Sequence, residues 1–222
     1  MQKTTLPLAT EGFPFILFSG FVTVVLALVG LTWLAMAGIL ATAFVTYFFR
    51  DPARVLPEDS NAVVCPADGK VIVVREVEDE RFLPGKTIKI SIFMNVFNVH
   101  VNRIPLAGTV ERVFLSPGRF FAADKDKAVL HNEFCALTIA TPTQQRYAVV
   151  QIAGLIARRI VCRAEKGDQV IAGQRYGLIR FGSRVDLYLP MTARVAVREG
   201  QIVTAGETVL ATLEPVEAAP SN

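Results

Sequence analysis

EKGDQVIAG, at residues 165–173, returns in altered form as REGQIVTAG at residues 198–206. Both copies contain two charged residues, a glycine, two variable residues, Val-x-Ala and a second glycine. An apolar run follows each copy, at 176–181 and at 208–213. A glycine turn, a strand, a second glycine turn and another strand account for this order. Two copies are too few for a solenoid, so the repeat predicts a sandwich with internal pseudo-symmetry.

Short strands separated by turns are predicted for most of the chain beyond residue 61. Residues 86–93 alternate apolar and polar with a period of two, which is typical of a strand. Further strands are predicted at 70–77, 108–115, 136–141 and 146–152. We therefore predict a mainly β, barrel-sandwich-like domain, whose hairpins resemble those of biotinyl and lipoyl carriers.

The N-terminal part differs, because residues 12–49 contain no Asp, Glu, Lys, Arg or His. A membrane-spanning helix takes roughly 20 apolar residues, so the run is too long for one span and sufficient for two short ones. A buried core hairpin would normally show a polar face, and none is visible. We predict that residues 1–49 are a hydrophobic membrane anchor, a helical hairpin of 13–29 and 33–49.

The charges that flank the apolar run predict its orientation. Lys3 precedes the run, and Arg50 and Arg54 follow it. Positive residues on both sides place both ends in the cytoplasm, so residues 50–222 are expected to form a catalytic domain at the cytoplasmic face of the cell (inner) membrane. A single long span would put the ends on opposite sides, and a thin hairpin could be re-entrant.

Composition argues against several other functions. A net charge of +3 is too mild and too evenly spread for nucleic-acid binding, but it suits an anionic lipid surface. Cys65, Cys135 and Cys162 lack metal or redox spacing and are expected to be free thiols in a reducing compartment. His100 and His131 are too few and too far apart for a convincing zinc site, so no metal is predicted.

The stretch RFGSRVD, at residues 180–186, lies between two apolar, strand-like runs. A serine that follows a glycine can attack the preceding backbone carbonyl, because glycine has no side chain to block the approach. A chain of this length contains about one such pair by chance. The dipeptide Gly182-Ser183 therefore needs its context before it indicates any chemistry.

Four motifs supply that context: FFRDP at 48–52, PADG at 66–69, NVHVNR at 98–103 and RFGSR at 180–184. In this order and spacing the chain resembles phosphatidylserine decarboxylase proenzymes of the short prokaryotic type, over nearly its whole length. The resemblance implies a pyruvoyl-dependent enzyme of phospholipid biosynthesis. Such an enzyme converts phosphatidylserine into phosphatidylethanolamine at a membrane.

The resemblance implies that the chain cuts itself between Gly182 and Ser183. The Ser183 hydroxyl would add to the Gly182 carbonyl, and elimination from the resulting ester would leave dehydroalanine, which hydrolyses to a pyruvoyl group and ammonia. Chains 1–182 and 183–222 would be the two partners of the mature enzyme. The covalent pyruvoyl cofactor derived from Ser183 would form a Schiff base with the substrate amine and take up the electron pair released with CO₂.

Asp68 and His100 match the aspartate and the histidine that serve self-cleavage in this family. A weak nucleophile is activated by an adjacent general base that a third group orients. Without the resemblance, Asp68 could be a plain turn residue and His100 a core or surface histidine. Longer family members carry a second histidine where this chain has Phe97. The proton donor to the product therefore stays open between a second use of His100 and a water.

Other interpretations remain at this stage. Arg180 and Arg184 could meet the substrate phosphate or carboxylate, or they could be solvated strand charges. His131 lies outside the matched motifs and is expected to be structural. The alternative for the whole protein is a membrane-anchored barrel-sandwich binding or adaptor protein, in which Gly182-Ser183 is merely a turn. A third interpretation keeps the pyruvoyl chemistry with another substrate, although the apolar anchor favours a lipid.

Overall fold

A computed structural model describes residues 7–118, 132–154, 160–180 and 183–214. Gly182 and His131 lie outside the described residues. The chain divides into two compact units, Met1–Ala53 and Arg54–Asn222. The assignment of residues 1–49 as an anchor and of 50–222 as a catalytic domain stays a prediction.

The N-terminal unit contains the predicted helical hairpin. Helix α1 spans Phe13–Leu28 and helix α2 spans Thr32–Phe48. Gly30 lies between them with φ +80°, a conformation that glycine adopts readily. A Cβ atom at Gly38 would lie 2.5 Å from Thr23 Oγ1, so the glycine permits the close approach of the two helices.

The exposed surface of the hairpin is largely apolar, whereas the hydroxyls of Thr23 and Thr42 lie 3.4 Å apart between the helices. Leu28 and Trp33 are among its most exposed side chains, at 82% and 81%. The stretch Thr10–Leu28, a 3-10 turn followed by α1, is long and apolar enough to cross a membrane, and Thr32–Phe48 is a shorter apolar helix. These features agree with membrane association, while the inner-membrane location and the cytoplasmic orientation stay predictions.

The second unit is built from fourteen described strands. In chain order they are β1 (Ala62–Val64), β2 (Gly69–Glu78), β3 (Lys86–Met94), β4 (Val101–Arg103), β5 (Gly108–Ser116), β6 (Phe134–Ala140), β7 (Arg146–Ala153), β8 (Ile160–Cys162), β9 (Gln169–Val170), β10 (Arg175–Ile179), β11 (Ser183–Pro190), β12 (Arg194–Val195), β13 (Ile202–Val203) and β14 (Val209–Thr212). The predicted mainly β, barrel-sandwich-like fold with an N-terminal helical hairpin is confirmed.

The strands form one large sheet and two small ones. The large sheet has the order β13-β2-β3-β11-β7-β6-β5-β9, and the small sheets have the orders β1-β14-β12 and β4-β10-β8. When the strands of the large sheet are counted inward from its two ends, each strand has a counterpart in the other half of the order. β13 corresponds to β9, β2 to β5, β3 to β6, and β11 to β7. The described strands of the second unit therefore form two similar halves of seven strands each.

The repeated sequence occupies equivalent places in these two halves. Its first glycines, Gly167 and Gly200, have φ values of +96° and +87°, and its second glycines, Gly173 and Gly206, have +74° and +75°. Residues that carry a side chain rarely adopt positive φ values, which explains why glycine occurs at all four positions. The predicted internal pseudo-symmetry is thus present in the fold.

A reciprocal pair of backbone hydrogen bonds joins the two halves. The Val64 N–H donates to the Pro105 carbonyl, and the Arg103 N–H donates to the Pro66 carbonyl, both at 2.9 Å. Val64 ends β1 and Arg103 ends β4, which are corresponding strands of the two small sheets. The contact between the halves therefore follows the same pseudo-symmetry.

One half is inserted into the other. Strands β4 to β10 follow one another along the chain and make up a complete half, whereas β1 to β3 and β11 to β14 make up the other. A short turn joins β6 to β7, but the corresponding strands β3 and β11 are connected through the entire inserted half. The chain therefore passes between the halves twice, after β3 and before β11.

The main core lies between the large sheet and the small sheets. Ile92, Val185 and Leu187 are fully buried members of it. Because side chains alternate along a strand, Ser183 shares this core face of β11 with Val185 and Leu187. Arg184 lies on the opposite face, together with a second buried cluster that includes Tyr188.

Candidate active site

His100 lies against β10, the described strand that precedes Ser183. Segment 95–100 ends in His100, and Ser183 is the first residue of β11. Val101 lies opposite Leu178 in the pairing of β4 with β10. The Ile179 N–H donates to the His100 carbonyl at 3.4 Å. His100 therefore lies beside the strand that leads to Ser183.

Ser183 is fully buried between two neighbouring strands. It is paired with Met94 of β3 on one side and with Ala153 of β7 on the other. Its Oγ atom has no hydrogen-bond partner among the described residues. Leaving a buried hydroxyl unpaired costs about 1–3 kcal/mol, so such a group in a folded protein calls for a functional explanation. The hydroxyl is held in the core, and no residue that the structure describes engages it in a hydrogen bond.

His100 is 1% exposed, and a carbonyl group orients its ring. The ring Nδ1 lies 2.9 Å from the Asn98 carbonyl oxygen. A carbonyl oxygen only accepts hydrogen bonds, so this contact assigns the proton of the neutral imidazole to Nδ1. Nε2 is then the basic nitrogen, which is the state required of a general base.

The turn before His100 is fixed by two amide side chains. Asn98 Oδ1 accepts from the Asn95 N–H, and Asn95 Oδ1 accepts from the Phe97 N–H, both at 2.9 Å. Phe97, which occupies the position of the second family histidine, is 63% exposed. The turn thus orients the Asn98 carbonyl toward His100, and the apolar ring of Phe97 lies exposed on its surface.

Asp68 is bound by groups other than His100. Its Oδ2 accepts from Arg54 Nη2 at 2.8 Å, and its Oδ1 accepts from the Ala205 N–H at 2.8 Å. Within the described part of the chain, neither oxygen is hydrogen-bonded to His100. The structure therefore does not join these two residues directly, and the role assigned to Asp68 in self-cleavage stays a prediction.

A comparison of the two halves shows that Asp68 is specific to one of them. The turn at 66–69, with the sequence PADG, corresponds to the turn at 105–108, with the sequence PLAG. Ala107 occupies the position of Asp68 in the second turn. The fold alone does not require a carboxylate here, because the equivalent turn forms without one.

Cys65 lies close to Asp68 and is chemically quiet. Its thiol donates to the Ala67 carbonyl at 2.9 Å. Burial raises the pKa of Cys65 to about 12, and the neighbouring Asp68 charge adds to the increase. Cys65 therefore stays a neutral thiol at physiological pH and does not compete with Ser183 as a nucleophile. The predicted free state of Cys65, Cys135 and Cys162 is confirmed.

Arg184 belongs to a buried ion network rather than to a solvated strand face. Its side chain is fully buried, its Nε donates to the Asp186 carboxylate at 2.5 Å, and its Nη2 donates to Ser91 Oγ at 2.8 Å. Lys89 Nζ lies 3.0 Å from the other oxygen of Asp186. This network anchors the backbone immediately after Ser183 on the face away from the core.

Two further polar residues near Ser183 were not singled out by the sequence analysis. Asn102 and Gln151 are fully buried, and Gln151 Nε2 donates to Asn102 Oδ1 at 2.8 Å. The available signal was a polar residue inside an otherwise apolar strand, as in the run AVVQIA at 148–153. Such a residue points to a buried hydrogen bond, but its partner depends on how the sheets pack.

Comparisons with known proteins identify the family. Residues 41–211 match the family model described as phosphatidylserine decarboxylase. The chain is 50% identical over 210 residues to the phosphatidylserine decarboxylase proenzyme of Desulfotalea psychrophila, which covers 95% of this chain and 98% of that protein. This chain belongs to the phosphatidylserine decarboxylase family. The family and the decarboxylase activity predicted from the sequence are confirmed.

Other members of the phosphatidylserine decarboxylase family show the same extent of similarity. The proenzyme of Geobacter sulfurreducens is 50% identical over 218 residues, covering 96% of this chain and 100% of that protein. The proenzyme of Ralstonia nicotianae is 50% identical over 208 residues, covering 93% of this chain and 96% of that protein. Their name indicates a family whose members are processed, and these comparisons do not support the alternative of an adaptor without catalysis.

Proposed function

We propose that this chain is a self-cleaving phosphatidylserine decarboxylase, which converts phosphatidylserine into phosphatidylethanolamine and CO₂ at a membrane. The observation that carries the proposal is the Ser183 hydroxyl, which is fully buried and has no hydrogen-bond partner among the described residues. Ser183 lies at the start of β11, and β10, the described strand that precedes it, ends at Ile179, whose N–H donates to the His100 carbonyl. A serine that acts once as a nucleophile needs such a hydroxyl, close to a base and not engaged elsewhere.

Self-cleavage starts with Ser183 Oγ and ends with two chains. Oγ bonds to the Gly182 carbonyl carbon, the peptide bond to the Ser183 nitrogen breaks, and that nitrogen takes a proton. Loss of the Ser183 α-proton then expels the Gly182 carboxylate, which keeps Oγ. Water hydrolyses the remaining enamine, through its imine tautomer, to a ketone and ammonia.

His100 supplies the base for the first step. The bond between Nδ1 and the Asn98 carbonyl fixes the ring and makes Nε2 the basic nitrogen, which is proposed to accept the Ser183 hydroxyl proton. The same nitrogen can return the proton to the departing Ser183 amine, as a general base that becomes a general acid. Asp68 is proposed to support this step from its place beside Arg54, through its charge rather than through a hydrogen bond to His100.

The residues around position 183 fit a pyruvoyl group. The maturation reaction removes Oγ, which is the buried atom that lacks a partner among the described residues. Met94 and Ala153 flank the position with buried apolar side chains, and these exclude water. A pyruvoyl group formed there would supply a ketone that condenses with the substrate amine, and this linkage would take up the electron pair released with CO₂.

The helical hairpin is proposed to keep the enzyme at the membrane that contains its substrate. Arg50 follows α2, and its guanidinium carbon lies 3.8 Å from the centre of the Tyr47 ring. Tyr and Arg at the end of an apolar helix suit the boundary between lipid and water. A lipid substrate lies in the membrane, so its enzyme benefits from an anchor there, whereas an enzyme that acts on a soluble amino acid does not need one.

Intact mass of the purified protein tests the proposed function. We expect chain 1–182 and a fragment 183–222 of about 4 kDa, whose blocked N-terminus reacts with hydrazine. The purified protein should release CO₂ from phosphatidylserine dispersed in detergent. An active chain that keeps its full mass of 24.3 kDa would overturn the mechanism.

A further inference from the structure

A buried amide pair lies in the core next to Ser183. Gln151 Nε2 donates to Asn102 Oδ1 at 2.8 Å, and Asn102 Nδ2 is directed to Met94 Sδ at 3.7 Å. Both amide side chains are fully buried. Met94 is the residue directly opposite Ser183 on the neighbouring strand. The amide pair therefore ends at the side chain that faces the site of the cut.

The register of the large sheet places Gln151 diagonally beside Ser183. Ser183 is paired with Ala153 of β7, and Gln151 precedes Ala153 by two residues, so its side chain points to the same face. Diagonal neighbours on one face of a sheet lie within reach of long side chains. Gln151 Oε1 has no hydrogen-bond partner among the described residues.

The small sheet brings Asn102 to the same place. Asn102 is paired with Gly177 of β10. A Cβ atom at Gly177 would lie only 3.0 Å from Gln151 Nε2 and 2.1 Å from the Val161 carbonyl. The glycine thus leaves room for the Gln151 amide, which in turn fixes the orientation of Asn102.

The donor of Asn102 is directed to a weak acceptor. A thioether sulfur accepts hydrogen bonds poorly, and buried amides normally have strong partners. An amide N–H held in this way turns readily to a better acceptor nearby. The carbonyl proposed to form at position 183, directly opposite Met94, would be such an acceptor.

We propose that Asn102 is a catalytic residue that donates a hydrogen bond from Nδ2 to the ketone formed at position 183, and that Gln151 positions Asn102 for this contact. The inference rests on the proposed function. By donating to the ketone oxygen, Asn102 withdraws electron density from the carbonyl carbon and makes it more reactive toward the substrate amine. Gln151 holds Asn102 Oδ1, so that Nδ2 faces position 183.

The stretching frequency of the ketone tests this assignment directly. Protein labelled with ¹³C-serine is compared by infrared spectroscopy as wild type, as Asn102→Leu and as Met94→Leu, which serves as the matched control. We expect a higher ketone frequency in Asn102→Leu, because the donor is lost, and an unchanged frequency in Met94→Leu. Equal frequencies in the wild type and in Asn102→Leu would overturn the proposal.

Reaction with phenylhydrazine gives a second measurement. We expect the adduct to form about tenfold more slowly in Asn102→Leu than in the wild type, which corresponds to the loss of about one hydrogen bond. In Gln151→Leu the decrease in rate should be smaller. Self-cleavage, followed by denaturing electrophoresis, should go to completion in both variants. Equal adduct rates in all variants would argue against a catalytic role for Asn102.

A measurement on the wild type covers the case in which Asn102→Leu does not fold. The side-chain amide protons of Asn102 are compared by NMR between the mature enzyme and the uncut Ser183→Ala protein. A downfield shift is expected on maturation, and identical shifts would overturn the inference. A cut wild-type chain without any ketone signal would overturn the proposed function as well, so the two failures differ in their spectra.

Discussion

Met94 and Ser183 lie directly opposite each other, as the last residue of β3 and the first residue of β11. The chain leaves one half of the domain after Met94, forms the inserted half, and is back in the first one at Ser183. Ser183 is paired on its other side with Ala153 of the inserted half. The proposed cut therefore lies at a junction where the returning strand is held on both edges.

The small chain is expected to stay bound after the cut. It contains β11 to β14, and β11 pairs with both β3 and β7 in the large sheet. Native mass spectrometry should find chains 1–182 and 183–222 as one complex that separates only under denaturing conditions. Uncut Ser183→Ala protein should elute at the same volume in size exclusion. Loss of the small chain in native buffer would contradict this expectation.

His100→Ala is expected to slow self-cleavage by about 10²–10⁴-fold, the usual contribution of a general base. The reason is that Nε2 is oriented by the bond between Nδ1 and the Asn98 carbonyl. Uncut chain should accumulate on denaturing gels and disappear slowly over time. His131→Ala is the control and should be cut at the normal rate, and equally rapid cutting of both variants would remove His100 from the mechanism.

Asp68→Asn and Arg54→Met separate two roles of the same ion pair. Both variants lose the pair with its 2.8 Å contact, but only Asp68→Asn removes the negative charge. We expect uncut chain to accumulate in Asp68→Asn and not in Arg54→Met. If both variants are cut equally slowly, Asp68 acts only by holding the turn together.

Ser183→Ala should abolish the cut without harming the fold. The substitution removes a buried hydroxyl that has no partner among the described residues, which favours the folded state by about 1 kcal/mol. Thermal unfolding of Ser183→Ala can be compared with that of the uncut His100→Ala protein. Ser183→Thr keeps a hydroxyl but restricts χ1, so it should be cut slowly and carry a ketobutyryl group. Normal turnover by Ser183→Ala would refute the role of Ser183.

A chain that begins at Arg54 tests the role of the hairpin. It lacks the apolar helices but keeps the whole second compact unit. We expect it to be soluble without detergent, to cut itself, and to act on short-chain phosphatidylserine better than on bilayers. The full chain should need detergent, and high salt should not release it from membranes. A shortened chain that folds but never cuts itself would make the hairpin part of the catalytic fold.

The features that could be predicted from the sequence are those that produce a recognisable pattern within a short segment of the chain. Gly167 and Gly200 have positive φ values, which only glycine adopts readily, so the repeat was visible as a pattern. Residues 86–93 showed the alternation of a strand with one buried face, and the apolar run marked the hairpin. Local periodicity and turn chemistry therefore predicted the element types and the pseudo-symmetry.

The features that escaped prediction depend on contacts between distant segments. The pairing of Met94 with Ser183 follows from the insertion of one half into the other, and neither segment carries a signal for the other. The partner of Asp68 is Arg54, in the stretch that precedes β1, rather than His100. Asn102 and Gln151 meet only because Gly177 lets the small sheet approach the large one.

The insertion has a consequence for the order of events on the ribosome. All strands of the inserted half are synthesised before the first residue of β11, so that half has its complete set of partners early. The first half can close only when β11 to β14 have emerged and β11 has docked between β3 and β7. Because Ser183 reaches its buried place only through that docking, the proposed cut would follow the synthesis of β11 and its insertion between β3 and β7. A chain that ends before β11 would lack Ser183 and could form no reactive carbonyl.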